Sequence, residues 1–201
     1  MILVTGGLGY LGTRIAIELL AKGEKVRIAT SRKDAFLPDA LRHCELVVID
    51  FSDLSTLKNA TNGISIIIHL SGMNALDSSK DPMEAMRING LGTRNLLESA
   101  RACGVHRFIY FSTIHVYGTP LQGSLMEKDV TQPVSDYAIT NRLAEEYVLS
   151  TRGLETVVLR LSNVFGVPHD KRSEAWKLVG NDFCKQAITK KVIKIKSSGQ
   201  Q

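Results

Sequence analysis

Six short apolar runs rich in β-branched residues punctuate the chain: MILVT at 1–5, KVRIAT at 25–30, ELVVID at 45–50, SIIIHL at 65–70, RFIYFS at 107–112 and TVVLRL at 156–161. Their apolar character is continuous rather than alternating, which suits strands buried on both faces of a parallel sheet. Between them lie segments of helical period, chiefly Tyr10 to Lys22, Pro82 to Cys103 and Ser135 to Ser150. Strand and helix in alternation predict an α/β fold, a doubly wound parallel sheet of Rossmann type. After SNVFGVP the pattern changes to a basic helix over about Ser173 to Thr189, a VIKI strand and a polar end. The expected organisation is a dinucleotide-binding domain over 1–166, with 167–201 opening an incomplete C-terminal substrate lobe.

Composition narrows the class without changing this picture. At 44% hydrophobic and 22% charged residues, the 201-residue chain is ordinary globular material. Cys44, Cys103 and Cys184 are scattered and odd in number, so they predict neither a disulfide framework nor a metal site, and a reducing, cytoplasmic setting is expected. MILVTGG enters a glycine turn at once, so no signal peptide is expected; no apolar run is long enough to predict a membrane span. The net charge of +5 is uneven: eight Lys/Arg against two Asp/Glu from Lys171 onward give a local +6. Those lysines lack interleaved aromatics or a recognition motif, so a solvated helix face is expected and no nucleic acid.

The first candidate for chemistry is TGGLGYLG, between the first strand and the first helix. Gly6, Gly9 and Gly12 are spaced to let the backbone turn tightly, approach a pyrophosphate and pack the helix close to the sheet. An acid at the end of the second strand would clasp the ribose of NAD; here stand Thr30, Ser31 and Arg32, which favour the 2′-phosphate of NADP over NAD. Asp50, closing the third strand, is placed to meet an adenine edge or to cap the helix that follows.

Taken in order, these landmarks resemble the extended short-chain dehydrogenase/reductases, and within them the NAD(P)-dependent nucleotide-sugar epimerase/dehydratase group. TGGLGYLG, with Gly6, Gly9, Tyr10, Leu11 and Gly12, is similar to the cofactor turn, and DFSD, with Asp50 and Phe51, to the adenine-side motif. HLSG, with Leu70, Ser71 and Gly72, resembles the stretch beside the cofactor, and Asn89 falls where the family has a structural asparagine. FIYFSTIHVYG, DYAITN and LRLSNVFG complete the series. The resemblance implies that Thr113 hydrogen-bonds the reacting hydroxyl or carbonyl, that Tyr137 exchanges a proton with the same oxygen, and that Asn163 contacts the nucleotide-sugar phosphates. It also implies a homodimer through helices 82–103 and 135–150.

Three departures qualify the resemblance. The acidic pair that the 4,6-dehydratases place after the threonine is replaced by Ile114 and His115, which disfavours that reaction, although an imidazole titrates near neutrality. Family members continue past residue 201. Finally, Asn141 stands where a lysine, about 40° round the helix from the tyrosine, would depress its pKa and hold the nicotinamide ribose. Asn141 is expected to keep cofactor contact but to supply no charge, and Arg142, about 140° round, to face solvent or Glu146. The expected function is an NAD(P)-dependent epimerase or oxidoreductase acting on a nucleotide-activated sugar, impaired at this position; the alternative is an inactive cofactor-binding protein.

Overall fold

The computed structural model describes residues 1–121, 123–169 and 174–195. Six strands form one sheet: β1 (Ile2–Thr5), β2 (Val26–Thr30), β3 (Glu45–Val48), β4 (Ile66–His69), β5 (Arg107–Thr113) and β6 (Glu155–Leu161). Their order is β3-β2-β1-β4-β5-β6 and every pairing is parallel. This is the Rossmann-type sheet expected from the sequence. The strand order reverses between β1 and β4, which opens a crevice at the C-terminal edge of the sheet.

Both faces of the sheet are covered. On one, α1 (Tyr10–Ala21) packs with Ile2, Val4, Ile28, Leu41 and Ile68. On the other, α2 (Leu54–Thr61), α5 (Thr93–Ala102) and α6 (Asp136–Ser150) close over Leu3, Ile67, Phe108 and Tyr110. Burial on both faces explains why these strands read as unbroken apolar runs.

The long helix expected over 82–103 consists of α4 (Pro82–Ala85), a π-helical stretch (Met86–Gly92) and α5. Two short helices went unread in the sequence: α2, which Asp53 caps by accepting from Ser55 N at 2.8 Å, and α3 (Ala75–Lys80), capped by Asn74. The C-terminal region corrects the sequence expectation. A 3₁₀ turn (Glu174–Lys177) precedes α7 (Val179–Lys190), and residues 192–195 form no strand. Their register is tied to α7 instead, with Lys194 N donating to Gln186 Oε1 at 2.8 Å. Among the described residues no helix is long and apolar enough to cross a membrane, and no cluster of metal-ligating side chains occurs.

Candidate functional site

The residues singled out in the sequence gather at the C-terminal edge of β1, β4 and β5 and on the facing helix α6. At β1, Gly6 adopts φ +67°, a left-handed conformation that favours glycine, and its N–H donates to Ala29 O at 3.2 Å. A side chain at Gly12 would place Cβ 2.2 Å from the Gly6 carbonyl oxygen, so α1 can start this close to the turn only without one. Gly9 caps α1 and no side chain bonds the helix's first amides, leaving them oriented toward the turn. Tyr10 instead reaches across to the segment after β6, donating to Gly166 O at 2.9 Å, and Leu11 is half-buried.

Beneath the turn runs a closed chain of hydrogen bonds. The Thr93 hydroxyl donates to Asn89 O at 2.6 Å, so it accepts from His69 Nε2 at 2.9 Å. His69 Nδ1 then accepts from Thr5 Oγ1 at 2.6 Å, and the two remaining lone pairs of Thr5 take the Leu70 and Ser71 amides, both at 3.2 Å. Complete burial pushes the His69 pKa down to about 3, which keeps the ring neutral as this order of protons requires. His69 therefore fixes the backbone of Leu70 and Ser71 beside Gly6. Gly72 is exposed next to them.

On the adenine side the structure sharpens three expectations. Asp50 lies two residues past the end of β3, and its carboxylate accepts from Ser52 N at 2.8 Å. Helix capping falls to Asp53, which removes that alternative for Asp50. The Phe51 ring belongs to the core, 5.7 Å from the His69 ring, and is not a cleft surface. Thr30 is buried and accepts from Arg32 N at 3.2 Å, while Ser31 and Arg32 are exposed at the end of β2.

Asn89 acts as a brace. Only 2% exposed, its side chain accepts from Met73 N at 2.7 Å and donates to Thr140 Oγ1 at 3.0 Å, joining the loop after β4 to α6.

Thr113 ends β5 and Tyr137 stands in the first turn of α6. The Thr113 hydroxyl lies beside the Tyr137 phenol and accepts from His115 N at 3.2 Å. Burial raises the Tyr137 pKa above the ordinary phenol value, and the adjacent Thr113 hydroxyl offsets part of that rise. Asn141 turns inward. It does not face the cleft: only 6% exposed, it accepts from Tyr110 OH at 2.8 Å and donates to Tyr137 O at 2.7 Å. Both ends of the amide are thus engaged inside the protein. Asn163 is exposed in the segment that follows β6, on the same edge of the sheet.

Sequence reading missed the ion cluster behind α6. Glu145, wholly buried, accepts from Arg160 Nε at 2.9 Å and NH2 at 2.7 Å, and from Arg142 NH1 at 3.3 Å. Arg142 also pairs with Glu146 and donates to Thr131 Oγ1 at 2.9 Å, and so is turned from Tyr137 as expected. Arg160 donates to Tyr117 OH at 2.7 Å. The signal was available: Glu145 lies four residues after Asn141, on the inward face with Ala138 and Val148. A cavity of about 760 Å³ lies elsewhere, where Arg14, Ile17 and Glu18 of α1 meet Val167, Pro168 and Lys185. It borders none of the Thr5, Thr113 and Tyr137 groups, and the site is assigned by the convergence of those groups.

A parallel sheet reversing beside a glycine turn, with a Thr–Tyr pair across the crevice, defines a Rossmann-type short-chain dehydrogenase/reductase. The chain belongs to the NAD dependent epimerase/dehydratase family, which it matches over residues 2–201. It is 33% identical over 186 residues to a putative UDP-glucose 4-epimerase of Methanocaldococcus jannaschii, covering 87% of this chain and 59% of that protein. It is 31% identical to sterol demethylase protein B of Methylococcus capsulatus, over 85% of this chain and 53% of that one. The structure of MoeE5 in complex with UDP-glucuronic acid and NAD superposes with a TM-score of 0.84 at 27% identity, covering all of this chain and 65% of MoeE5. The chain thus spans little more than half the length of these curated relatives. At nearly equal identity the relatives carry a sugar-epimerase and a sterol-demethylase name, so similarity alone does not select the substrate.

Proposed function

We propose that the chain binds a nicotinamide dinucleotide along the C-terminal edge of its sheet and acts as an epimerase or oxidoreductase on a nucleotide-activated sugar. The Thr113–Tyr137 pair facing the glycine turn carries this reading. The turn fits the pyrophosphate: a Cβ at Gly6 would stand 3.1 Å from Ser71 N and one at Gly12 would strike the Gly6 carbonyl, so the loop stays slim enough for close backbone approach. MoeE5, with NAD and UDP-glucuronic acid, supports both ligand classes. Exposed Ser31 and Arg32, with no carboxylate at the end of β2, favour NADP over NAD.

The dinucleotide supplies hydride exchange. Thr113 orients the reacting oxygen and Tyr137 exchanges a proton with it. Because burial holds the Tyr137 proton and position 141 supplies no cation, the resting phenol is better suited to protonate a developing alkoxide than to deprotonate an alcohol. Ile114 and His115 after Thr113 disfavour 4,6-dehydration. The uncharged Asn141 favours a second reading, a cofactor-binding protein without turnover. Residues 1–166 form the cofactor domain and the remainder opens a substrate lobe. A homodimer through the 82–103 and 135–150 helices, with Leu91, Ile139 and Leu149 exposed, and a cytoplasmic setting complete the proposal.

The experiment is a titration of the protein with NADPH and NADH followed by nicotinamide fluorescence, then a panel of nucleotide sugars with the preferred cofactor. Saturation in the micromolar range with interconversion of at least one sugar supports the enzyme. Saturation without turnover selects the second reading, and no saturation at millimolar cofactor refutes both.

A further inference from the structure

One titratable side chain beside Tyr137 has no part in the proposed reaction. His115 lies in the 3₁₀ turn Ile114–Tyr117 that continues directly from Thr113. Its main chain is fixed: the N–H donates to Thr113 Oγ1 at 3.2 Å and the carbonyl accepts from Gly118 N at 3.1 Å. The imidazole is exposed and makes no hydrogen bond or ion pair among the described residues. Its ring stands edge-on to the Tyr137 ring, with centroids 6.5 Å apart and planes at 66°. Thr113, Tyr137 and His115 thus form one constellation, with Thr113 anchoring the His115 main chain and the two rings meeting edge to face.

Tyr137 cannot accept a proton from a substrate hydroxyl without giving up its own. Among the groups packed around it, Tyr110 on β5 is buried, with its pKa pushed upward, and donates to Asn141. Glu145 on α6 is saturated by Arg160 and Arg142. Arg142 is held by Glu145, Glu146 and Thr131, and Tyr117 is held by Arg160. Asp136, next to Tyr137 in sequence, is the rival acceptor. Of these, the imidazole is the group that carries a donor and an acceptor nitrogen on one ring.

We propose that His115 is the proton-relay partner of Tyr137, holding the phenolic proton while a substrate carbonyl exists and returning it as the hydroxyl is restored. This rests on the proposed function. In the oxidising direction the substrate O–H bond breaks and its proton goes to the Tyr137 oxygen. The Tyr137 O–H proton passes to an imidazole nitrogen, and the substrate C–H pair leaves as hydride to an oxidised nicotinamide. Reduction reverses each transfer. A neutral amide at position 141 is compatible with this cycle because the proton is stored beside the phenol rather than expelled by a fixed cation.

The test has two arms. In cofactor-free protein labelled at histidine, the Cε1–H resonance of His115, assigned with His115→Gln, is followed against pH. The midpoint is expected to move when Tyr137 is replaced by Phe and to stay in place for Asp136→Asn. An unmoved midpoint in Tyr137→Phe, or a larger movement in Asp136→Asn, overturns the proposal whether or not the protein turns over. In the second arm, oxidation of an active nucleotide sugar is expected to fall about tenfold per pH unit below that midpoint. His115→Gln removes the acid limb and slows oxidation roughly 10²-fold, with little change in KM. An acid limb that survives in His115→Gln also overturns the proposal. Because His115 is exposed, an unchanged melting temperature shows that its loss reflects chemistry. Failure of the proposed function reads differently: no cofactor saturation, with the resonance arm still deciding the pair.

Discussion

Removing the charge of Glu145 tests whether the ion cluster behind α6 is an energetic unit. The carboxylate is wholly buried, and its partner Arg160 is 16% exposed at the side chain, so neither is well placed to recover water when the other is lost. Breaking a buried pair by removing one partner costs about 3–5 kcal/mol. Arg160 would keep Tyr117 OH at 2.7 Å and Glu127 O at 3.2 Å. That places Glu145→Gln near the lower end, about 3 kcal/mol. For a chain of this size each kcal/mol lowers the melting temperature by roughly 2–4 °C, which gives a fall of roughly 6–12 °C.

The double replacement Glu145→Leu with Arg160→Met separates pairing from packing. Arg142 retains Glu146 and Thr131, and Tyr117 retains Met126 O at 3.0 Å, so no charge is orphaned. The double variant should therefore lie within about 1 kcal/mol of the parent, well above either single change. Thermal and urea unfolding followed by circular dichroism measure the parent, Glu145→Gln, Glu145→Leu, Arg160→Met and the double variant. A loss under about 1 kcal/mol for Glu145→Gln, or a double variant as unstable as the two single losses added together, would refute the reasoning.

Other outcomes follow from single groups. His69 has a folded pKa of about 3 against an ordinary value of 6.5. The unfolded chain binds the extra proton first, so its contribution is complete above pH 6.5 and falls by about 1.4 kcal/mol per unit between there and 3. Urea midpoints against pH should show that slope, reduced in His69→Gln. Tyr110 and Tyr137 titrate above their unfolded values, so their contribution is present below pH 10 and is lost as pH rises beyond it. Alkaline unfolding should be shallower in Tyr110→Phe, although loss of its bond to Asn141 lowers stability at neutral pH by about 1 kcal/mol. Gly12→Ala, which forces a Cβ to within 2.2 Å of Gly6 O, should abolish cofactor saturation in the fluorescence titration and lower the melting temperature.

The strands were legible because burial on both faces leaves a signature in consecutive residues, and the glycine turn because its chemistry demands small side chains at fixed spacing. What escaped depends on partners distant in sequence. Nothing near Asn89 shows that its amide spans from Met73 to Thr140, and nothing near Glu145 names Arg160, 15 residues on. The VIKI run misled for a related reason. A β-branched run forms a strand only beside a pairing edge, and residues 192–195 have none among the described residues.

Position 141 joins these two lessons. Helical periodicity places Asn141 on the face of Tyr137, but a face is an arc, and the side chain's length and its available partners decide where along that arc it points. A lysine is long enough to pass the Tyr137 backbone and reach a cleft. An asparagine is not, and it finds a phenol on β5 and a carbonyl one turn back at hydrogen-bond distance. Asn141 is therefore a core residue as well as an uncharged one. Asn141→Lys consequently breaks the Tyr110 bond and leaves a buried ammonium that must extend outward or destabilise the fold. The variant should lose about 1–2 kcal/mol in urea unfolding while its Tyr137 absorbance titration shifts to lower pH. Pairing it with Tyr110→Phe, which removes the orphaned phenol, should recover part of the lost stability without reversing the shift. A stable Asn141→Lys protein with an unshifted Tyr137 would show that position 141 never communicates with the phenol.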